Sequence, residues 1–358
     1  MQIPLHYPHV AVVILCWNGR KFLEQFVPPL LKTTYPNVSY YVADNASTDD
    51  SLDYLRQHFP WVEIIAIDEN QGFSTGYNIA LKQVQADYYV LLNQDVEVAP
   101  GWIEPVIAAM QQGKHIGAAQ PKLRAYDSKT DFEYAGAAGG YTDSLGYMFC
   151  RGRIFDAVEP DTGQYDTPAE IFWASGAAMF VRAQLYHQIG GLDDTFFAHM
   201  EEIDLCWRIK SAGYSIVYCP DSVVYHVGGG SLPQGNPRKT YLNFRNNLFL
   251  LYKNLPAYQL WYKMPVRLAL DCLAAFKSLA GGNSNDFWAI GRAHRHFFRA
   301  LPSLRKRRKE NWQLIRGASV AGPNRNGSYK GLIIWDFFFR KKTKFSQLDS
   351  SKFIGAKQ

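Results

Sequence analysis

The segment Val10-Ala11-Val12-Val13-Ile14-Leu15-Cys16 holds no charged or strongly polar side chain. A run of that kind suits a strand buried on both faces, which needs helices above and below it. The residues that follow supply them. Helical spacing is predicted over about residues 21–32, 49–58 and 74–84, with strands over 39–43, 62–67 and 88–92. Strands alternating with helices over short connections give right-handed crossovers and a mostly parallel sheet. The predicted class is α/β. Ligands on such sheets bind where the C-terminal strand ends open into loops.

Those loops are Trp17-Asn18-Gly19, Asp44-Asn45-Ala46-Ser47-Thr48-Asp49, Asp68-Glu69-Asn70-Gln71-Gly72 and Asn93-Gln94-Asp95. Any one of them is explained by turn and capping chemistry. Four polar loops converging on one sheet edge point to a binding site. From about residue 115 to 230 the pattern loosens, with a glycine-rich stretch at 135–140, strands predicted at 177–181, 216–219 and 223–226, and a helix near 200–212. Beyond Ser231 the chain reads as helical, with Pro256, Pro265 and Pro302 as expected breaks.

Charge divides the chain at the same place. Residues 1–230 carry 14 Lys and Arg against 27 Asp and Glu, whereas residues 231–358 carry 24 against 5. An acidic body joined to a basic tail calls for an anionic partner, a membrane surface or a nucleic acid. The five cysteines form no CxxC pair, as expected of reduced thiols in a cytoplasmic protein. The first residues lack the basic and apolar regions of a signal peptide. No apolar run reaches the roughly 18 residues of a spanning helix.

Three places carry possible chemistry. Asp95 ends a predicted buried strand, where a carboxylate can hold a hard divalent cation beside substrate phosphates. Glu201, Glu202 and Asp204 cluster at a helix start; helix-dipole compensation and an Asp204–Arg208 pair at i,i+4 would explain Asp204 well and the glutamates less well. His226 closes a strand ahead of Gly228-Gly229-Gly230, and a lone histidine is more often structural.

Taken in order, Val13-Ile14-Leu15-Cys16-Trp17-Asn18, Asp44-Asn45-Ala46-Ser47-Thr48-Asp49, Asn70-x-Gly72-x-x-x-Gly76-x-Asn78 and Asn93-Gln94-Asp95 resemble the family-2 inverting glycosyltransferases of GT-A fold. Trp173-x-x-Gly176, Phe196-Phe197-x-x-x-Glu201-Glu202-x-Asp204-Leu205, His226-x-Gly228-Gly229 and Tyr241-x-x-x-Arg245-Asn246 continue the match. It spans about residues 9–250 and is nearest to the bacterial rhamnosyltransferase-like branch that builds surface polysaccharides. The resemblance implies a GT-A catalytic domain over 1–230, with a nucleotide-binding half (about 9–115) and an acceptor half (about 116–230). Residues 231–358 would form a basic, mainly helical extension.

The same resemblance implies roles. Asn18, Asp44 and Asn45 would meet the nucleotide, with Asp44 reading the base edge. Asn70, Gly72 and Asn78 would shape the wall around ribose and diphosphate. Asn93 and Asp95 take the DXD-like positions, with Asp95 and the later His226 as ligands of Mg2+ or Mn2+. Asn93 stands where Asp is usual and removes one formal charge. Trp173 and Gly176 would face the acceptor. Glu202 aligns with the general base, although Asp is more usual there, so Glu201 and Asp204 stay candidates. The partners implied are a nucleoside-diphosphate-sugar donor, dTDP-rhamnose being the first choice, and a glycan or lipid-linked acceptor.

Two rival readings compete. Gly72-Phe73-Ser74-Thr75-Gly76 matches the G-x-S-x-G elbow of a serine hydrolase, with Asp193, Asp221 and His226 downstream in a workable order. The basic tail, with eight cations between Arg292 and Lys309 and no acid among them, would suit a nucleic-acid binder. A hydrolase explains neither Asp44 nor the glutamate pair. The acidic body would repel phosphate backbones and no recognition motif is present, so no nucleic-acid partner is expected. The tail is read instead as a membrane element: the apolar stretch 265–277, aromatic residues after it and the run Arg305–Lys309 would hold the protein on the inner face of the cell membrane. The alternative is a solvated charged helix that packs its apolar side on the acidic body.

Overall fold

A computed structural model describes residues 7–228 and 236–355. Strand β1 (Val10–Cys16) runs inside a nine-stranded sheet, parallel to β2 (Val38–Asn45) and β4 (Tyr88–Asn93). Beyond β2 lies β3 (Glu63–Ile67), also parallel. Helices α1 (Arg20–Leu30), α2 (Ser51–His58) and α3 (Gly72–Leu81) make the crossovers, as the alternating pattern predicts.

The chain then adds β5 (Val96–Val98), α4 (Glu104–Gln111) and β6 (Ile116–Ala125). Pattern reading missed all three; Pro121 and Lys122 hide β6, although both are buried within it. A side sheet of short antiparallel strands follows: β7 (Gly140–Thr142), β8 (Met148–Cys150), β9 (Arg153–Ile154) and β10 (Ala157–Val158). The main sheet is completed by β11 (Ala169–Ile171), β12 (Ala178–Arg182) and β13 (Ser215–His226), with α5 (Ala183–Gln188) and α6 (Glu201–Ser211) before the last strand. Its order is β11-β13-β6-β12-β4-β1-β2-β3, and β5 pairs with β13. Only β12, β11 and β5 run against the others, so the sheet is mostly parallel.

Alternate residues of β1 serve two cores. Val10, Val12 and Ile14 pack with α1, α2 and α4, whereas Ala11 and Val13 pack on the face that holds α3 and α6. Burying each such aliphatic side chain contributes about 1.5–3 kcal/mol. The second core does not end at residue 230. It takes in Leu248 to Leu251 of α7 (Pro237–Asn254) and Phe297, Leu304 and Ile315 of α9 (Ser284–Ala318). Between them runs α8 (Ala257–Ala280), and α10 (Ile333–Phe338) follows. The break in charge is therefore not a break in the core.

Pro256 does separate α7 from α8, but Pro265 and Pro302 lie inside α8 and α9. A proline frees the carbonyl four residues earlier. Here those belong to Trp261 and Phe298, both exposed residues.

Candidate active site

The parallel ladder sets the loops after β1, β2, β3 and β4 at one edge, where a cleft of about 940 Å3 opens. Asp95 follows β4 and lines it. The antiparallel pairing of β13 with β5 places His226 opposite Val96, next to Asp95, and the Val227 amide donates to the Asp95 carbonyl at 3.1 Å. Nε2 of His226 lies 3.2 Å from Oδ1 of Asp95, and Nδ1 lies 3.3 Å from Oε1 of Glu133. The Asn93 amide stands 3.4 Å from Nε2. Burial opposes a charge on His226, but Glu133 and Asp95 outweigh it and lift the imidazole to about 10. Burial likewise opposes the Asp95 charge, and His226 nonetheless holds it below the ordinary aspartate range.

At the same cleft, α6 begins in an unusual way. His199 and Met200 have φ of 70° and 75°, two successive left-handed residues without a Cβ-free glycine between them. Asn246 of α7 secures this turn by donating to the carbonyls of Ala198 (2.8 Å) and His199 (2.7 Å). The turn aims Glu201 and Glu202 into the cleft, each with one carboxylate oxygen buried and without a hydrogen-bond partner. Burial pushes Glu202 up to about 7. Burial and then the neighbouring Glu202 raise Glu201 well above the ordinary glutamate range. The pair can thus hold one proton and offer one base near neutrality.

Asp204 is not part of this pair. It is fully buried, 2.9 Å from Nε of Arg208 and 2.9 Å from Nζ of Lys253, and it accepts from Asn254 at 2.7 Å. The i,i+4 pair anticipated as the plain explanation is the observed one, and Asp204 is removed from the catalytic candidates. Two further expectations are corrected. Asn78 ties α3 to Leu192, donating to its carbonyl at 2.7 Å and accepting from its amide at 3.0 Å. Trp173 packs against Gly140 and donates to the Tyr141 carbonyl at 3.0 Å, so it is a core residue. Neither lines the cleft.

Asn70, Gly72, Asn93, Asp95, Gly176, Glu201, Glu202 and His226 do line it. Asn18, Asp44 and Asn45 stand at the adjoining strand ends without lining it. Asn18 accepts from the Thr48 amide at 2.7 Å, and Asp44 keeps one buried oxygen unpartnered. Asn45 knits two loops together, donating to Asn70 (3.2 Å) and accepting from the Gln71 amide (2.9 Å). Gly229 and Gly230 lie outside the described residues. Sequence reading missed Glu133, Trp17, Phe197 and His199 as cleft residues. Of these, Trp17 and Phe197 stood within quoted motifs; nothing near Glu133 marks it.

The Ser74 hydroxyl donates to the Phe196 carbonyl at 2.8 Å, buried inside the fold, and Asp193 pairs with Lys253. No hydrolase triad is assembled there.

A family model described as "Glycosyl transferase family 2" matches residues 11–171. Over those residues the chain matches the family-2 glycosyltransferases. The chain is 26% identical over 289 residues to the N-acetylglucosaminyl-diphospho-decaprenol L-rhamnosyltransferase of Mycobacterium tuberculosis, covering 75% of this chain and 91% of that one. Solved structures share its GT-A fold. GalNAc-T7 with UDP, GalNAc and Mn2+ superposes with a TM-score of 0.55 at 16% identity, over 71% of this chain and 49% of the other. The mannosyltransferase PcManGT from Pyrobaculum calidifontis, with GDP-Man and Mn2+, gives 0.52 at 16% identity, over 88% and 87%. The matched region is thus only about half of the GalNAc-T7 chain. The hydrolase and nucleic-acid readings find no support among these relatives.

Two of the cleft side chains fit a divalent cation. Two ligands at right angles on one Mg2+ or Mn2+, each at about 2.1 Å, stand about 3 Å apart. Oδ1 of Asp95 and Nε2 of His226 meet that condition at 3.2 Å. Glu133 stands behind the imidazole, 3.3 Å from Nδ1, where a carboxylate could orient a ligating histidine. Among the described residues no group of three or more His, Cys, Asp or Glu side chains forms a metal cage. Donor phosphates and water would complete the shell.

Proposed function

We propose that the protein moves a hexose, L-rhamnose as first choice, from a nucleoside-diphosphate donor to a hydroxyl of a lipid-linked or glycan acceptor, inverting the anomeric carbon, in cell-envelope polysaccharide synthesis. The observation that carries this is that one cleft is lined by two such groups, Asp95 with His226 and Glu201 with Glu202. The M. tuberculosis relative, named for a decaprenol-linked acceptor and a rhamnosyl transfer, supports the choice of sugar and acceptor.

Glu202 takes the proton of the acceptor hydroxyl as its oxygen bonds to the anomeric carbon and the bond to the diphosphate oxygen breaks on the opposite face. Glu201, whose carboxyl is raised by burial and by the neighbouring Glu202, shares the pair's proton and can donate to Glu202 or to the acceptor. Asn18, Asp44 and Asn45 hold the nucleoside end, Asn70 and Gly72 the ribose and diphosphate, and Gly176 leaves room beside Glu202. A bound Mg2+ or Mn2+ at Asp95 and His226 would supply Lewis-acid stabilisation to the departing diphosphate. No covalent enzyme nucleophile is required.

Release of nucleoside diphosphate across a panel of donors, with Mn2+ and with EDTA, tests the reading. Transfer should require both a lipid-diphosphate-linked acceptor and the metal. Full turnover in EDTA would remove the cation, and turnover with every other donor but none with dTDP-rhamnose would remove the sugar.

A further inference from the structure

Helix α8 is built inside out. Its buried positions include Arg267 and Asp271, and its exposed positions include Tyr258, Trp261, Tyr262, Val266, Leu273 and Phe276. Trp261 is 86% exposed and Leu273 65%. Beside the buried Met264 and Ala275, the inward side holds a polar network: Arg267 donates to Asn247 at 2.7 Å and lies over the Tyr147 ring at 3.6 Å, and His294 lies 3.4 Å from Asp271. Between Ala257 and Phe276 no exposed residue of α8 is charged. A helix facing water on that side would show the opposite arrangement.

The apolar face continues onto neighbouring elements. Phe276 meets Phe287 at 5.7 Å, and Phe287 meets Trp288, itself 70% exposed. Lys277 lies over Phe338 of α10, where Trp335 and Phe339 stack in the open. Cations border this surface: Arg292, Arg295 and Arg299 continue the exposed stripe of α9 from Trp288, and Arg340 and Lys341 follow Phe339. The run Arg305–Lys309 contributes less than its sequence suggests. Arg307 pairs with Asp194 at 2.7 Å, and Arg308 donates to the carbonyls of Lys253 (3.0 Å) and Leu255 (2.6 Å).

We infer that the outer face of α8, with Trp288 and α10 beside it, seats the protein in the headgroup region of an anionic lipid bilayer. Tyr and Trp prefer that depth, and an amphipathic helix of this kind lies in the plane of the interface. Among the described residues no helix is long and apolar enough to cross a membrane, so α8 rests in the surface. A second copy of the chain suits the face poorly, because two cationic borders would be brought together. Anionic headgroups complement that border. The inference does not depend on the donor, the acceptor or the base proposed above.

Cys272 offers a direct reporter. It is exposed on this face, whereas Cys16, Cys150, Cys206 and Cys219 are buried. The full-length protein labelled there with an environment-sensitive fluorophore is mixed with phosphatidylcholine vesicles, with or without phosphatidylglycerol. Emission should shift to the blue and the protein should float only with the anionic vesicles, less so at high salt. Trp261→Ser with Phe276→Ser should lower the partition constant about tenfold or more, as expected when two aromatic side chains no longer leave water. Its circular dichroism melt should match wild type, since both side chains are exposed. Three results would overturn the inference: no flotation of wild-type protein, equal flotation of the double variant, or a blue shift without vesicles that tracks dimer formation in sedimentation.

Discussion

Oε1 of Glu133 stands 3.3 Å from Nδ1 of His226, on the far side of the imidazole from Asp95. Glu133 and Asp95 thus flank the imidazole at its two ring nitrogens. Glu133→Gln should lower activity about 10–100-fold and raise the Mn2+ concentration needed for half-maximal turnover, as loss of an orienting carboxylate does. Titration of activity against Mn2+ separates this from a folding defect, which would lower the maximum without moving the midpoint.

The two glutamates should part company in a pH profile. Glu202→Gln removes the base, and kcat should fall by about 10²–10⁴-fold with donor binding retained. Glu201→Gln removes the neighbour's carboxyl and should leave measurable turnover. In wild type the acid limb of kcat/KM should lie near pH 7, where Glu202 loses its proton. A limb in the ordinary glutamate range would reassign the base.

Those raised carboxyls also cost stability. Between the unfolded glutamate value, about 4.3, and the folded value, the native state binds more protons than the unfolded chain, so stability falls as pH rises. The window for Glu202 closes near pH 7. Glu202→Gln should therefore melt higher than wild type at pH 8, with the difference shrinking toward pH 4. Melts at the two pH values check the sign.

Lys253 bridges Asp193 and Asp204, all three buried. Lys253→Met leaves two carboxylates short of a partner and should cost about 3–5 kcal/mol, read from the denaturant midpoint.

Gly72 has φ of +72°, and a Cβ there would meet the Phe197 ring at 2.8 Å. Gly72→Ala should destabilise by about 1 kcal/mol or more and raise the donor KM, because Phe197 must move within the cleft.

What the sequence made legible was local. The unbroken run at Val10–Cys16 marks β1, and the residues at the end of β4 and the start of α6 mark two parts of the cleft lining. Glu133 was invisible because it reaches His226 only through the pairing of β13 with β6, where His226 lies opposite Ala125 and the chain folds back to bond Glu133 to Leu123. Asp204 misled for the opposite reason. It sits beside Glu201 and Glu202 in sequence, yet the helical turn rotates it toward Arg208 and Lys253. Pro265 and Pro302 read as helix ends because nothing local shows that the carbonyls they free would belong to exposed residues. The inverted polarity of α8 has the same origin: periodicity reveals a two-sided helix without saying which side turns inward.

The hold of Asn246 on the turn before Glu201, and of Lys253 on Asp204, bears on how such a chain can be recombined. The point where acidic sequence gives way to basic sequence looks like a joint at which one relative's tail could be grafted onto another's body. A crossover there would part the catalytic turn from the residues that brace it, and the hybrid would carry unmatched buried charge from birth. Exchange can succeed only if α7 travels with the body it supports.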